Sequence, residues 1–171
     1  MPLPDRTVPP LTPEALLERL GALGIAHVLH RHPPLRTVEE AKALRGALPG
    51  GHVKNLFLKD KKDRLVLLTV EEDSAVDLKA VPALLGLGRV SFASPERLWR
   101  HLGILPGAVS PLALANDAEG LVAPVLERRL LDHALVNLHP LDNRLTVALA
   151  PSGLLRFLES LGRTPRLLDL A

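Results

Sequence analysis

Apolar residues recur along this chain at two spacings, and the spacing assigns most of its elements. Thr12 is a good N-cap, Pro13 suits a first helical position, and Leu16, Leu17, Leu20 and Leu23 form a stripe that Gly24 ends. Ile25 to Arg31 reads as a strand, stopped by Pro33-Pro34. Thr37-Val-Glu-Glu40 is a capping box that opens a helix to about Leu44. After the Pro49-Gly50-Gly51 turn, His52 to Asp60 and Leu65 to Val70 read as strands joined by a hairpin at Lys61-Lys62-Asp63. Leu78 to Leu85 reads as a helix that Pro82 kinks or splits. Arg89 to Ala93 is a short strand, and Ser94-Pro95 starts a helix through Trp99 to Leu102, closed by Gly103.

Further on, Leu121 to Leu126 and Ala134 to Leu138 read as strands separated by a turn around Leu130. The tight connection His139-Pro-Leu-Asp-Asn143 leads to a strand over Leu145 to Leu149. Leu154 to Leu161 is the last helix, with Gly162 as its stop, and Arg166 to Leu168 adds a terminal edge strand. Helices and strands are interspersed and hairpins are frequent. The expected class is therefore α+β: a single domain with a mixed sheet, curved toward a barrel and flanked by helices.

Composition narrows the function classes. The chain has 171 residues, enough for one domain with a sizeable core, since 47% of it is hydrophobic. Residues 1–11 carry four prolines and read as an extended arm before a domain over 12–171. The absence of cysteine excludes disulfides and thiolate metal sites. No apolar run approaches a membrane span and the N-terminus lacks a signal-peptide core, so the expected location is the cytoplasm, with no membrane partner. The net charge of +2 is too small to argue nucleic-acid binding by itself. Aromatics make up 2% of the chain, too few to read bases by stacking, so contacts to a nucleic acid would rest on phosphate, sugar and shape.

The densest stretch of backbone chemistry is Gly103-Ile-Leu-Pro-Gly-Ala-Val-Ser-Pro111, with two glycines and two prolines. It reads either as a helix cap followed by an ordinary turn, or as a loop that acts through its backbone, with Gly107 allowing close approach of a ligand. Lys54, inside a strand, is either a solvent-facing lysine or a cation for a phosphate or a substrate hydroxyl. His139, before Pro140 at a strand end, is either an idle surface histidine or a site residue, and Asn143 closes the same turn. His27, His30 and His32 lack an acidic or thiolate partner at ligand spacing, so no metal site is expected. Ser110 lacks the Gly-x-Ser-x-Gly elbow of a serine nucleophile. There is no Walker A loop and no Gly-x-Gly-x-x-Gly, which argues against a nucleotide enzyme.

Six segments in order resemble the YbaK-type editing domains associated with prolyl-tRNA synthetase, and most of all their free-standing members, the ProX/PrdX alanyl-tRNA(Pro) deacylases. The segments are His32 to Ala41, His52 to Asp60, Arg89 to Ala93, Gly103 to Pro111, His139 to Asn143 and Leu154 to Leu158. The resemblance implies hydrolysis of a mischarged tRNA ester, most of all Ala-tRNA(Pro), with no cofactor. Another mischarged ester such as Cys-tRNA(Pro), and a tRNA-binding module without catalysis, are the alternatives. It implies Lys54, Gly107 and His139 as catalytic residues, with Lys54 directed at the pocket. Thr37, Asn55, Ala108, Val109, Ser110, Pro111 and Asn143 are its implied substrate-binding residues. Its implied partners are the tRNA acceptor end and, transiently, prolyl-tRNA synthetase, and it leaves monomer and homodimer open. Two positions depart from the family pattern: Leu141 stands where a polar residue is expected, and Arg144 where threonine is frequent.

Overall fold

The computed structural model describes residue 6 and residues 9–34 and 37–170, so most of the expected N-terminal arm lies outside the described residues. Its strands are β1 (His27–Arg31), β2 (Gly51–Lys59), β3 (Leu65–Glu71), β4 (Ser91–Phe92), β5 (Val122–Glu127), β6 (Val136–Leu138), β7 (Leu145–Leu149) and β8 (Arg166–Leu168). They form one sheet in the order β1-β7-β6-β2-β3-β5-β8, with β4 beside β2. The β2/β3, β6/β7 and β1/β7 pairs are antiparallel, whereas β2/β6, β3/β5 and β5/β8 are parallel. The mixed α+β expectation holds, and the terminal strand β8 does lie at an edge.

The helices are α1 (Pro13–Ala22), α2 (Val38–Ala47), α3 (Val81–Leu85), α4 (Pro95–Leu102) and α5 (Pro151–Ser160). Strand β3 is apolar on both sides because the sheet is covered on both faces. Leu65 and Leu67 join the main core with Leu16 and Leu20 of α1, Leu98 and Leu102 of α4, and Phe157 of α5. Val66, Leu68 and Val70 join a second core with Val81 and Leu85 of α3 and Val125 of β5.

Strand β2 belongs to two parts of the sheet. Gly51 and His52 pair with β6, while Val53 to Lys59 pair with β3. Within Val53 to Lys59, on the edge away from β3, only Leu58 and Lys59 meet another strand among the described residues, β4. Residues 53–56 therefore present an unpaired strand edge between β6 and β4, and the loop before Pro111 packs there, accepting a hydrogen bond at Val109 C=O from Asn55 Nδ2 at 3.0 Å.

Several boundaries differ from the sequence expectation, and proline accounts for most of the differences. Pro82 lies in the first turn of α3, so it starts that helix instead of kinking it. Helix α5 begins at Pro151, a turn earlier than expected, for the same reason. Two 3₁₀ helices, Pro111–Asn116 and Arg128–Asp132, occupy stretches read as loop and turn.

Candidate active site

A cavity of about 260 Å³ opens where β2 parts from β6. Its walls include Leu44 of α2 and its C-cap Leu48, His52, Val53 and Asn55 of β2, and Asn137 and Thr146 of β6 and β7. Glu72, Gly107, Leu138, His139 and Asn143 also line it. The fold thus brings four sequence-predicted residues, Asn55, Gly107, His139 and Asn143, to one space.

The glycine loop is built from turn chemistry. Ala108 N–H donates to Leu105 C=O at 3.1 Å, and Gly107 has φ +94°. Pro106 followed by a glycine at positive φ, closed by that bond, is the type II turn pattern. Gly103 closes α4 in the left-handed conformation at φ 62°, as the plainer reading expected. The Ala108 N–H is therefore occupied, while Gly107 N–H makes no hydrogen bond among the described residues. A Cβ built on Gly107 would lie 3.6 Å from Asn143 Nδ2, so the glycine is required by its φ and not by lack of room. Asn55 anchors the loop to the sheet: its Oδ1 accepts from Thr69 Oγ1 at 2.6 Å while its Nδ2 holds Val109 C=O.

His139 is placed by the turn after β6. Its Nδ1 donates to Leu145 C=O at 2.8 Å, which fixes the neutral tautomer and leaves Nε2 as an acceptor with no partner among the described residues. Burial lowers the His139 pKa, the hydrogen bond to Leu145 raises it, and the neighbouring His32 lowers it further. The imidazole is thus a neutral base at ordinary pH. The two departures in this turn have structural causes. Leu141 adopts φ 70° and packs against the main core. Arg144 grips Asp142 with Nη2 on Oδ2 at 2.7 Å and Nε on Oδ1 at 3.0 Å, and this pairing lowers the Asp142 pKa to about 2.

Other expected site residues sit elsewhere. Lys54 does not line the cavity, contrary to its expected direction. Val53 and Asn55 do, and strand alternation sends the side chain between them to the other face, where its ammonium donates to Ser74 C=O. Thr37 caps α2: its hydroxyl accepts from Glu40 N–H at 3.0 Å while its own N–H reaches Glu40 Oε2 at 3.2 Å. Ser110 is fully buried and its hydroxyl accepts from Leu112 N–H at 3.2 Å, capping the 3₁₀ helix that Pro111 begins. Ala108, Ser110 and Pro111 are buried behind the rim, and Val109 contributes its carbonyl to Asn55. No group of three histidine, cysteine, aspartate or glutamate side chains able to hold a metal occurs among the described residues. His27 instead faces Ile25 C=O through Nδ1 at 2.9 Å. The cavity also holds Asn137 and Thr146, which sequence reasoning missed. The signal for them was a polar residue inside an otherwise apolar strand, in Val136-Asn-Leu138 and Leu145-Thr-Val147.

Comparison with known proteins identifies the family. Residues 32–157 match the aminoacyl-tRNA editing domain. The prolyl-tRNA editing protein ProX of Acetoanaerobium sticklandii is 35% identical over 158 residues, covering 92% of this chain and 96% of that protein. The prolyl-tRNA synthetase associated domain-containing protein 1 of Danio rerio is 39% identical over 156 residues, covering 90% of this chain and 85% of its own. A crystal structure of a candidate trans-editing enzyme for prolyl tRNA synthetase superposes with a TM-score of 0.68 at 26% identity, over 92% of each chain. The chain belongs to the aminoacyl-tRNA editing domain family.

Proposed function

We propose that this protein is a trans-editing deacylase that hydrolyses mischarged tRNA(Pro), with alanyl-tRNA(Pro) as its main substrate. The observation that carries the reading is the pairing, on one cavity, of an unpartnered imidazole nitrogen at His139 and an unpartnered backbone N–H at Gly107. His139 Nε2 accepts the proton of the attacking water as its oxygen bonds to the ester carbonyl carbon. Gly107 N–H donates to the carbonyl oxygen as it becomes an oxyanion. Collapse breaks the bond to the ribose oxygen, and the proton held at Nε2 passes to that leaving group. The neighbouring ribose hydroxyl of the terminal nucleotide shares the acid–base work, which suits a cavity without a protein triad.

Lys54, whose side chain leaves the face of β2 away from the cavity, serves the terminal nucleotide through its phosphate, outside the cavity. Its partner here is a neutral carbonyl, which a phosphate outcompetes through charge. The discrimination is one of size. A synthetase pocket built for proline rejects a smaller side chain by only ~1–3 kcal/mol per missing methylene, so a second site that admits the smaller one supplies the rest. The names of the relatives support prolyl-tRNA synthetase as a transient partner. Deacylation of alanyl-, cysteinyl- and prolyl-tRNA(Pro) tests the reading. Alanyl-tRNA(Pro) is expected to be cleaved fastest and prolyl-tRNA(Pro) to be spared. Equal rates on the alanyl and prolyl esters, or none on any ester, would overturn it.

A further inference from the structure

The loop that carries Gly107 is tied down at its base by two residues that do not line the cavity, Arg6 and Asn116. Helix α4 ends at Leu102, and the last carbonyls of a helix lack partners within it. Arg6 Nη1 donates to Trp99 C=O at 2.9 Å and to Arg100 C=O at 2.8 Å, while its Nη2 donates to Asn116 C=O at 3.0 Å. A guanidinium suits this end of a helix, where the backbone dipole is negative. Asn116 Nδ2 donates to Leu102 C=O at 2.9 Å, and its Oδ1 accepts from Leu11 N–H at 2.9 Å.

Leu102 stands just before the loop over 103–110, and Asn116 ends the 3₁₀ helix that begins at Pro111. Arg6 and Asn116 therefore bind the two ends of the loop to each other. Capping alone does not call for this bridge, because Gly103 N–H already closes α4 onto Trp99 C=O at 2.9 Å. Gly103 sits inside the junction. A Cβ built there would lie 2.6 Å from Pro10 Cβ, 3.1 Å from Asn116 Nδ2 and 3.3 Å from Arg6 Cζ, so the N-terminal residues pack directly on the loop's first backbone unit. The tip over 105–107 is exposed and has no core packing of its own to fix it. Its direction is set from the two sides: by Ile104, buried next to the junction, and by the bond from Asn55 Nδ2 to Val109 C=O. Arg6 also precedes residues 32–157, which match the editing domain.

We propose that Arg6 and Asn116 are positioning residues for ester hydrolysis: they fix the base of the loop and, through it, the direction of the Gly107 N–H. The inference rests on the editing reading and deepens it. Both residues act on the hydrolysis of the bound ester and not on its binding.

Steady-state kinetics on alanyl-tRNA(Pro) test the assignment in the full chain. Arg6→Ala is expected to lower kcat about tenfold or more, since a small misplacement of a reacting geometry is felt mainly in the transition state, with KM within about twofold of the parent. Asn116→Ala is the second variant and should show the same split. In a Gly107→Ala background, Arg6→Ala should add less than about a twofold loss, because the N–H it positions is already displaced. A parental kcat in either single variant, a loss confined to KM, or a full further loss in the double variant would overturn the assignment. Hydrogen exchange reads the loop without chemistry. Ala108 N–H, which closes the turn onto Leu105 C=O, should exchange about tenfold or more faster in Arg6→Ala while the amides of β3 keep their parental rates. Unchanged exchange at Ala108, or faster exchange in β3 as well, sinks the positioning role whatever the protein cleaves. Faster exchange confined to the loop, in a protein that cleaves no ester, sinks the editing reading and keeps the hold on the loop.

Discussion

Two polar clusters in this molecule, one buried and one at the open rim of the cavity, are satisfied in opposite ways. Around Asp117, every polar group finds a protein partner. Oδ1 accepts from Leu121 N–H at 3.1 Å and Oδ2 from Val122 N–H at 2.8 Å, and the Arg163 guanidinium meets the same carboxylate. Arg163 also donates to Val122 C=O. At the cavity, by contrast, Gly107 N–H and His139 Nε2 have no partner among the described residues. A closed network holds the fold together, whereas an open one needs something from outside the chain. The comparison separates scaffold from site without reference to which residues are charged.

The sharpest way to break it is to remove the open base. His139→Asn keeps a donor toward Leu145 C=O but has nothing at the Nε2 position. Deacylation is expected to fall ~10²–10⁴-fold, the usual contribution of a general base, with the melting temperature little changed. A parental rate would show that His139 is only a turn residue. The mirror experiment removes the closed carboxylate. Asp117→Ala leaves Arg163, whose side chain is 12% exposed, without its ion partner. Stability in urea should fall by ~3–5 kcal/mol, while activity per folded molecule stays at the parental level. A loss of activity without a loss of stability would erase the distinction between the clusters.

Gly107→Ala lies between these two cases. A methyl at φ +94° strains the turn by roughly 1 kcal/mol and shifts the Gly107 N–H. Single-turnover deacylation is expected to slow by on the order of 10²-fold, as when one oxyanion donor is lost. A variant that melts lower yet cleaves at the parental rate would return the loop to an ordinary turn. The smallest expected effect is on pH. Burial lowers the His139 pKa from the ordinary histidine value of ~6.5. The neutral, basic form therefore persists below that value, and kcat/KM should fall only as pH drops through the lowered pKa. An acid limb centred at or above ~6.5, or one that survives in His139→Asn, would contradict the assignment.

Much of the fold was legible because caps and breakers carry it. Thr12, Thr37, Ser94 and Gly103 act as read, and hydrophobic runs located the strands. Pro82 misled because a proline reads the same inside a helix as at its start, and only the neighbouring turn over 78–80 decides between them. Gly107 and His139 were visible as punctuation next to apolar runs. The direction of Lys54 was not, since strand alternation fixes which side chains share a face but not which face borders a cavity. Asn137 and Thr146 were hidden because their place in the cavity depends on β6 and β7 lying side by side across a hairpin, and the partner of Thr146, His32, lies 114 residues away.

The most direct test of the central claim, that the open cluster is where the ester is cleaved, is a crystal structure with the non-hydrolysable amide of alanyl-adenosine. The account expects the amide carbonyl in the cavity between Gly107 N–H and His139 Nε2, with its oxygen toward the glycine. The analogue bound outside the cavity, or inside it with the carbonyl turned away from Gly107, would contradict the account.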